Sequence, residues 1–182
     1  MGLDDTKRSE DEFNEQIRED YSKVLKRELS DRSPEELKER ILRFLSRCQI
    51  GSLATCSDNI PRSTPVRFGY RDLTIFVLTE GGGKMQNIEM NPNVCFSVYG
   101  TYTGFRSCRG IQLWGKAEIL KPEDKEAYAP AFQTLNLEER EDLKKLDTGD
   151  IRMEMPIIKI TPERIRYLSV PEGILNQELK IP

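Results

Sequence analysis

Two short runs of residues carry chemistry that the rest of the chain does not. In the first, Pro61-Arg62-Ser63-Thr64-Pro65, a planar guanidinium fork able to hold a phosphate by two parallel hydrogen bonds stands beside two hydroxyls. In the second, Gly81-Gly82-Gly83-Lys84, flexible glycines let backbone N–H groups approach an anion and the lysine adds a full positive charge. KMQNIEM, behind the glycines, reads as a short helix, so an anion would sit at a helix start, where the dipole favours negative charge. The run is not a nucleotide P-loop, which needs GxxxxGK followed by Ser or Thr. Leu78 occupies the first glycine position and Met85 replaces the magnesium-binding hydroxyl, so triphosphate hydrolysis has no support. If the strands bearing the two runs pair, both clusters converge on one phosphate. Each piece also has a plainer reading: the glycines as a solvated turn, Arg62 as a surface salt-bridge partner, Thr79 as an ordinary strand residue, and Trp114 as a core or interface aromatic.

Exclusions narrow the chemistry further. With no histidine in 182 residues, there is no Ser-His-Asp or Cys-His nucleophile pair, no HExxH zinc site and no histidine-ligated haem. Chemistry must then come largely from a cofactor, and no metal site is expected. Cys48, Cys56, Cys95 and Cys108 are scattered without a CxxC pair, and read as buried small apolar residues in a reducing compartment. The formal charge of -3, with acids and bases mixed throughout, offers no footprint for a nucleic-acid backbone. No apolar stretch approaches the ~18 to 20 residues that cross a bilayer, and acidic residues follow Met1, so the expected compartment is the cytoplasm.

The elements that must position these residues can be read from hydrophobic period. Phe13, Ile17, Tyr21, Val24 and Leu25 recur at helical spacing, predicting an amphipathic helix from Asp11 to Leu29 behind a frayed tail over the first ten residues. A second helix is predicted from Ser33, with Pro34 in its first turn, Glu36 completing a capping box, and Leu37, Ile41, Phe44 and Leu45 facing inward. Short β-rich runs follow: IGSLATC, a Ser57-Asp58-Asn59 turn, RSTPVRFGY, then LTIFVLT after Arg71-Asp72. Beyond the helix that stops at Asn91-Pro92 come NVCFSVYG and RGIQLWGKAEIL. A helical region is expected from Pro122 to about Lys145, broken or kinked at Pro130, before MPIIKI and RIRYLSV return to strand. Short antiparallel steps with helices at the edges predict a mainly β (α+β) small barrel over 33–182, preceded by an N-terminal tail and helix over 1–32.

The order LAT, turn, PRSTPV, strand, LTEGGGK, helix, NPNVCFSV, strand, WGKAEIL resembles the FMN-binding split-barrel family of pyridoxamine 5'-phosphate oxidase. The likeness runs from Ile41 to Leu120, and MPIIKITPERIRYL looks like the family's closing strand. The resemblance implies an FMN-binding split β-barrel in which Arg62 and Lys84 hold the FMN phosphate beside Gly83. It places Ser63, Thr64 and Pro65 along the flavin edge, and Val77, Leu78 and Thr79 beside the ring and ribityl chain. It also implies a homodimer with FMN at the subunit interface, approached by Gln112 or Trp114 of the partner strand. Strands such as NVCFSVYG are too apolar to leave at a barrel edge, which points to the same dimer. Departures bear on activity. The true oxidases have a basic residue where Gly83 stands and a glutamine at the place of Gly110, and their C-terminal arginine-histidine substrate clamp has no counterpart in QELKIP. These differences argue against pyridoxamine phosphate oxidation. The implied function is an FMN-dependent oxidoreductase acting on a small substrate, with a non-catalytic flavin carrier or sensor as the second reading and a haem-handling or deazaflavin-using relative as the third.

Overall fold

The computed structural model describes residues 10–25, 29–137 and 155–181. Helix α1 (Glu10–Leu25) matches the expected amphipathic segment as far as Leu25; residues 26–28 lie outside the described residues, and Leu29 is not helical. Of the expected tail, residues 1–9 lie outside the described residues, as does 138–145 of the expected helical region. Helix α2 (Pro34–Leu45) starts on the anticipated capping box, in which the Ser33 hydroxyl accepts from the Glu36 N–H at 3.2 Å and the Ser33 N–H donates to the Glu36 carboxylate at 3.3 Å. Its inward stripe is Leu37, Ile41, Phe44 and Leu45, all buried.

Among the described residues, eight strands form one antiparallel sheet: β1 (Ile50–Ser57), β2 (Ile60–Arg67), β3 (Gly69–Arg71), β4 (Thr74–Leu78), β5 (Asn93–Tyr99), β6 (Arg109–Leu120), β7 (Ile157–Ser169) and β8 (Ile174–Lys180). Helix α3 (Gly83–Met90) follows β4, and α4 (Lys125–Thr134) follows β6. The hydrogen-bonded order is β2-β1-β5-β6-β7-β4-β3, with β8 added to β7. Asp58 and Asn59 take positive φ in the β1–β2 turn, as does Asp72 before β4, which is the backbone that short hairpin turns require and that Asn and Asp tolerate. The main core lies under the inner face, among Leu53, Ile75, Phe96, Leu113, Ile160 and Ile165, with α2 packed against it. A smaller cluster of Phe76, Leu120, Tyr128, Ala131 and Ile157 seats α4.

Four expectations change. Strands β5 and β6 are interior strands, so the argument from exposed edges fails. What β5 exposes on its outer face is its two end residues, Asn93 and Tyr99. Helix α4 carries Pro130 inside it, continues to Thr134, and then turns at Asn136, whose φ is positive. The four cysteines are free and half-buried rather than fully buried. The two runs MPIIKI and RIRYLSV belong to one strand, β7, interrupted by a bulge.

Candidate anion-binding site

Strand β2 pairs with β1 so that Arg62 faces Thr55 and Thr64 faces Leu53. Paired residues of an antiparallel ladder share a face, so Arg62 points to the side on which Thr55 and Leu53 are buried. Helix α3 closes over that side. Its Asn87 donates to the Thr55 hydroxyl at 3.1 Å and accepts from the Ser57 hydroxyl at 2.8 Å, while Asn91 donates to the Cys56 carbonyl at 3.0 Å. These bonds lock the helix to β1, and through β1 they bring its N-terminus to Arg62.

The consequence is a close approach of two sequence-distant groups. A Cβ built on Gly83 would lie 2.7 to 2.9 Å from three atoms of the Arg62 guanidinium, so the arginine occupies the notch that the missing side chain leaves. The basic residue that the resemblance expects at position 83 would displace it. Gly81 and Gly82 have φ of 107° and 86°, a conformation that side-chain-bearing residues resist, and Gly82 caps α3 without any side-chain hydrogen bond. Such a helix start presents the N–H groups of its first turn to an anion. Lys84 stands in that turn and donates to the Gly81 carbonyl at 2.8 Å. Among the described residues no carboxylate pairs with Arg62 or Lys84. Among the described residues, Arg62 and Lys84 thus both stand without a carboxylate partner at the start of α3, groups of the kind that can hold a phosphate.

The convergence does not arise as expected, since β2 and β4 are not hydrogen-bonded partners. The other anticipated residues divide into groups. Thr79 is buried and shapes the loop: its hydroxyl accepts from the Gly81 N–H at 3.2 Å. Val77 is fully buried in the core, so only its main chain is available to a ligand, and half-buried Leu78 packs against the α4 cluster. Thr64 shares the face of Arg62, whereas exposed Ser63 and Pro65 point to the opposite, outer face. Gln112 and Trp114 are also on the outer face, opposite Ser97 and Cys95. Three strand spacings separate them from β2, about 14 Å. Within one chain they do not reach the phosphate cluster.

Asn87, Asn91 and Thr55 escaped the sequence reading. A polar residue on the core-facing side of a short helix was the available signal. Arg164 and Arg166 escaped it too: their guanidinium carbons lie 4.1 and 5.5 Å from the centre of the Trp114 ring. Opposite Trp114, burial pushes the Cys95 thiol above its ordinary value, with the Ser97 hydrogen bond and the Arg164 charge pulling the other way. At Gly110, where a glutamine is expected, a Cβ would meet the Val98 carbonyl at 2.9 Å, so the backbone there is too close for the family's side chain without a shift. Among the described residues there is no cluster that would hold a metal ion, and no helix long and apolar enough to cross a membrane.

A family model described as pyridoxamine 5'-phosphate oxidase matches residues 37–169. Among solved structures the chain is similar to General Stress Protein 26 from Bacillus anthracis str. Sterne, at 24% identity and a TM-score of 0.56, over 80% of this chain and 98% of that one. It is similar to a FAD-binding protein from Mesorhizobium loti, at 21% identity and a TM-score of 0.55, over 69% and 87%. The FAD-binding protein from Mycobacterium smegmatis is 17% identical with a TM-score of 0.53, over 79% and 96%. These likenesses concern the fold. No curated protein sequence matches the chain significantly.

Proposed function

Since the chain belongs to the pyridoxamine 5'-phosphate oxidase family, we propose that it is a cytoplasmic, homodimeric flavoprotein that binds FMN and works as an oxidoreductase on a small substrate other than pyridoxamine phosphate. The carrying observation is the guanidinium of Arg62 seated against Gly83 at the start of α3, beside Lys84. Arg62 supplies a fork to the phosphate, Lys84 a point charge and the first turn of α3 its amides. Thr64 borders the same side, and the main chain of Val77 and Leu78 lies along the route of the ribityl chain. Bound FMN supplies the electron or hydride transfer that a chain without histidine otherwise lacks.

A second copy completes the site in this reading. Gln112 and Trp114 are too far from Arg62 to serve the same phosphate cluster, but they stand on an outer face that also shows Ile50 and Tyr99, 64% and 70% exposed. Covering that face with an identical copy buries apolar surface and brings the partner's Trp114 towards the flavin.

The test is titration of the purified protein with FMN, FAD and riboflavin, followed by visible absorption and light scattering. An oxidised-flavin spectrum, FMN held far more tightly than riboflavin, and a dimer whose melting temperature rises with excess FMN are expected. FAD, named in two of the structural neighbours, is included because its diphosphate would extend beyond the same cluster. A colourless protein that cannot be reconstituted refutes the reading. Reduction of bound FMN by NADH or NADPH, with turnover on an acceptor, separates an enzyme from a carrier. Hydrogen peroxide release with pyridoxamine phosphate would refute the exclusion of that substrate.

A further inference from the structure

Strand β2 has an open edge whose pattern of donors and acceptors is written in its sequence. It pairs with β1 on one side, and among the described residues no ladder joins its other side to β4. Which main-chain groups face that open side follows from the β1–β2 turn. Asp58 and Asn59 both take positive φ, 50° and 59°, between the paired residues Ser57 and Ile60. In a two-residue turn of this kind the flanking pair exchanges both hydrogen bonds, and along the ladder such pairs alternate with pairs that exchange none. Arg62 and Thr64 are therefore bonded to Thr55 and Leu53, whereas Pro61, Ser63 and Pro65 aim their main-chain groups away from β1.

The two prolines agree with that parity, because a residue without an N–H belongs in a strand where its nitrogen faces no partner. They also decide what the edge offers. From Pro61 to Pro65 the outward groups are the carbonyls of Pro61, Ser63 and Pro65 and a single donor, the Ser63 N–H. A strand of another chain laid along this edge finds no N–H at Pro61 or Pro65, so strand addition is blocked. A flat heterocycle is not. On an extended residue the N–H and C=O stand side by side, and at Ser63 they complement a lactam, in which an N–H adjoins a carbonyl.

The flavin ring carries a lactam in its pyrimidine half, at N3–H and the carbonyls beside it. Reach favours the match. Arg62 adjoins Ser63 in the chain, and its side chain carries the guanidinium to Gly83, so a phosphate held there lies one long side chain away from the Ser63 amide, a gap for the ribityl chain to span. We infer that the main chain of Ser63 is the specificity-determining contact for the ring: its N–H donates to a pyrimidine carbonyl oxygen and its C=O accepts from N3–H. The inference rests on the reading of the Arg62 and Lys84 cluster as an FMN phosphate site. The Ser63 side chain, exposed on the outer face, is not the contacting group. The carbonyls of Pro61 and Pro65 on either side repel a ring edge made of acceptors alone, so a ligand without the N3–H donor is rejected.

Amide hydrogen exchange followed by NMR on the full chain, with and without FMN, tests this. In the apoprotein the Ser63 N–H is expected to exchange much faster than the ladder-bonded amides of Arg62 and Thr64 on either side, and FMN is expected to slow it by about tenfold or more. Titration with 3-methyl-FMN, in which a methyl replaces the N3 hydrogen, is expected to give about tenfold weaker binding than FMN. Ser63→Pro removes the donor and no ladder bond, and is expected to hold FMN about three- to tenfold less tightly than Ser63→Ala, which keeps the N–H. A Ser63 amide as slow as its neighbours in the apoprotein, or one that FMN leaves unchanged, overturns the inference. So does equal affinity for FMN and 3-methyl-FMN, or equal affinity of the two variants for FMN. Should Ser63→Pro fail to fold, the exchange and analogue measurements on the wild type still decide. Tight FMN binding alongside any of these refutations leaves the flavin reading standing, whereas failure of the wild type to take up FMN overturns that reading and this inference with it.

Discussion

Replacing Gly83 with alanine is expected to leave the protein folded yet weaken its hold on FMN and not on riboflavin. The new methyl would lie 2.7 to 2.9 Å from three guanidinium atoms of Arg62, against 3.4 to 4 Å for ordinary contact, so the guanidinium must withdraw. It is the end of a flexible, exposed side chain and can do so at small cost to folding. Gly83 is not among the glycines with positive φ, and alanine in the first turn of a helix is favoured over glycine by up to about 1 kcal/mol. Stability should therefore hold or rise slightly. Affinity should not. A charge-assisted hydrogen bond contributes ~1.5 to 3 kcal/mol, so Arg62→Ala should raise the Kd for FMN roughly ten- to 150-fold. Gly83→Ala displaces the guanidinium without removing it and should cost a part of that, about three- to thirtyfold. The double variant should resemble Arg62→Ala alone, because both changes act on one group. Riboflavin, which lacks the phosphate, should bind all variants alike. Flavin fluorescence quenching gives each Kd. Equal losses for the two flavins, or an unchanged FMN affinity in folded Gly83→Ala, would refute the placement of Arg62 on the phosphate.

Asn87→Ala strips the partner from the buried Thr55 hydroxyl and frees α3, so it should cost ~1 to 3 kcal/mol in denaturant melts and also loosen FMN; unchanged stability would show that the clasp is idle. Gly115→Ala drives a methyl into the Thr161 carbonyl, backbone that cannot swing aside, and should destabilise by roughly 3 kcal/mol, with a midpoint near wild type as the refuting result. Burial pushes the Tyr167 hydroxyl above its ordinary 10.0, which favours the neutral form in the folded state. Its contribution is full below pH 10 and is lost as pH rises through the raised value, so Tyr167→Phe should lose less stability than wild type as pH rises above about 10. Parallel pH curves for the two proteins would remove Tyr167 as a cause.

Much was settled by the sequence alone, because the signals were local. The capping box at Ser33, the Asp58-Asn59 turn and the alternation of NVCFSVYG each depend on residues within a few positions of one another, so their reading survived in the structure. The cation clusters at Arg62 and Lys84 were visible for the same reason, as residue types in short runs. What the tertiary structure decided is which of them meet, and on which face. Arg62 reaches Gly83 because Asn87 ties α3 to β1, a contact across more than thirty positions that no spacing announces. Ser63 and Pro65 fell on the far side of β2 because adjacent strand residues point to opposite faces, and only the register with β1 says which face is inner. The arginines beside Trp114 depend on a bulge at Glu163, where one extra residue inverts the alternation of a strand and turns charge outward and Tyr167 inward. Local propensity chooses the elements; register, bulges and cross-element hydrogen bonds choose their neighbours, and those are properties of the packed chain.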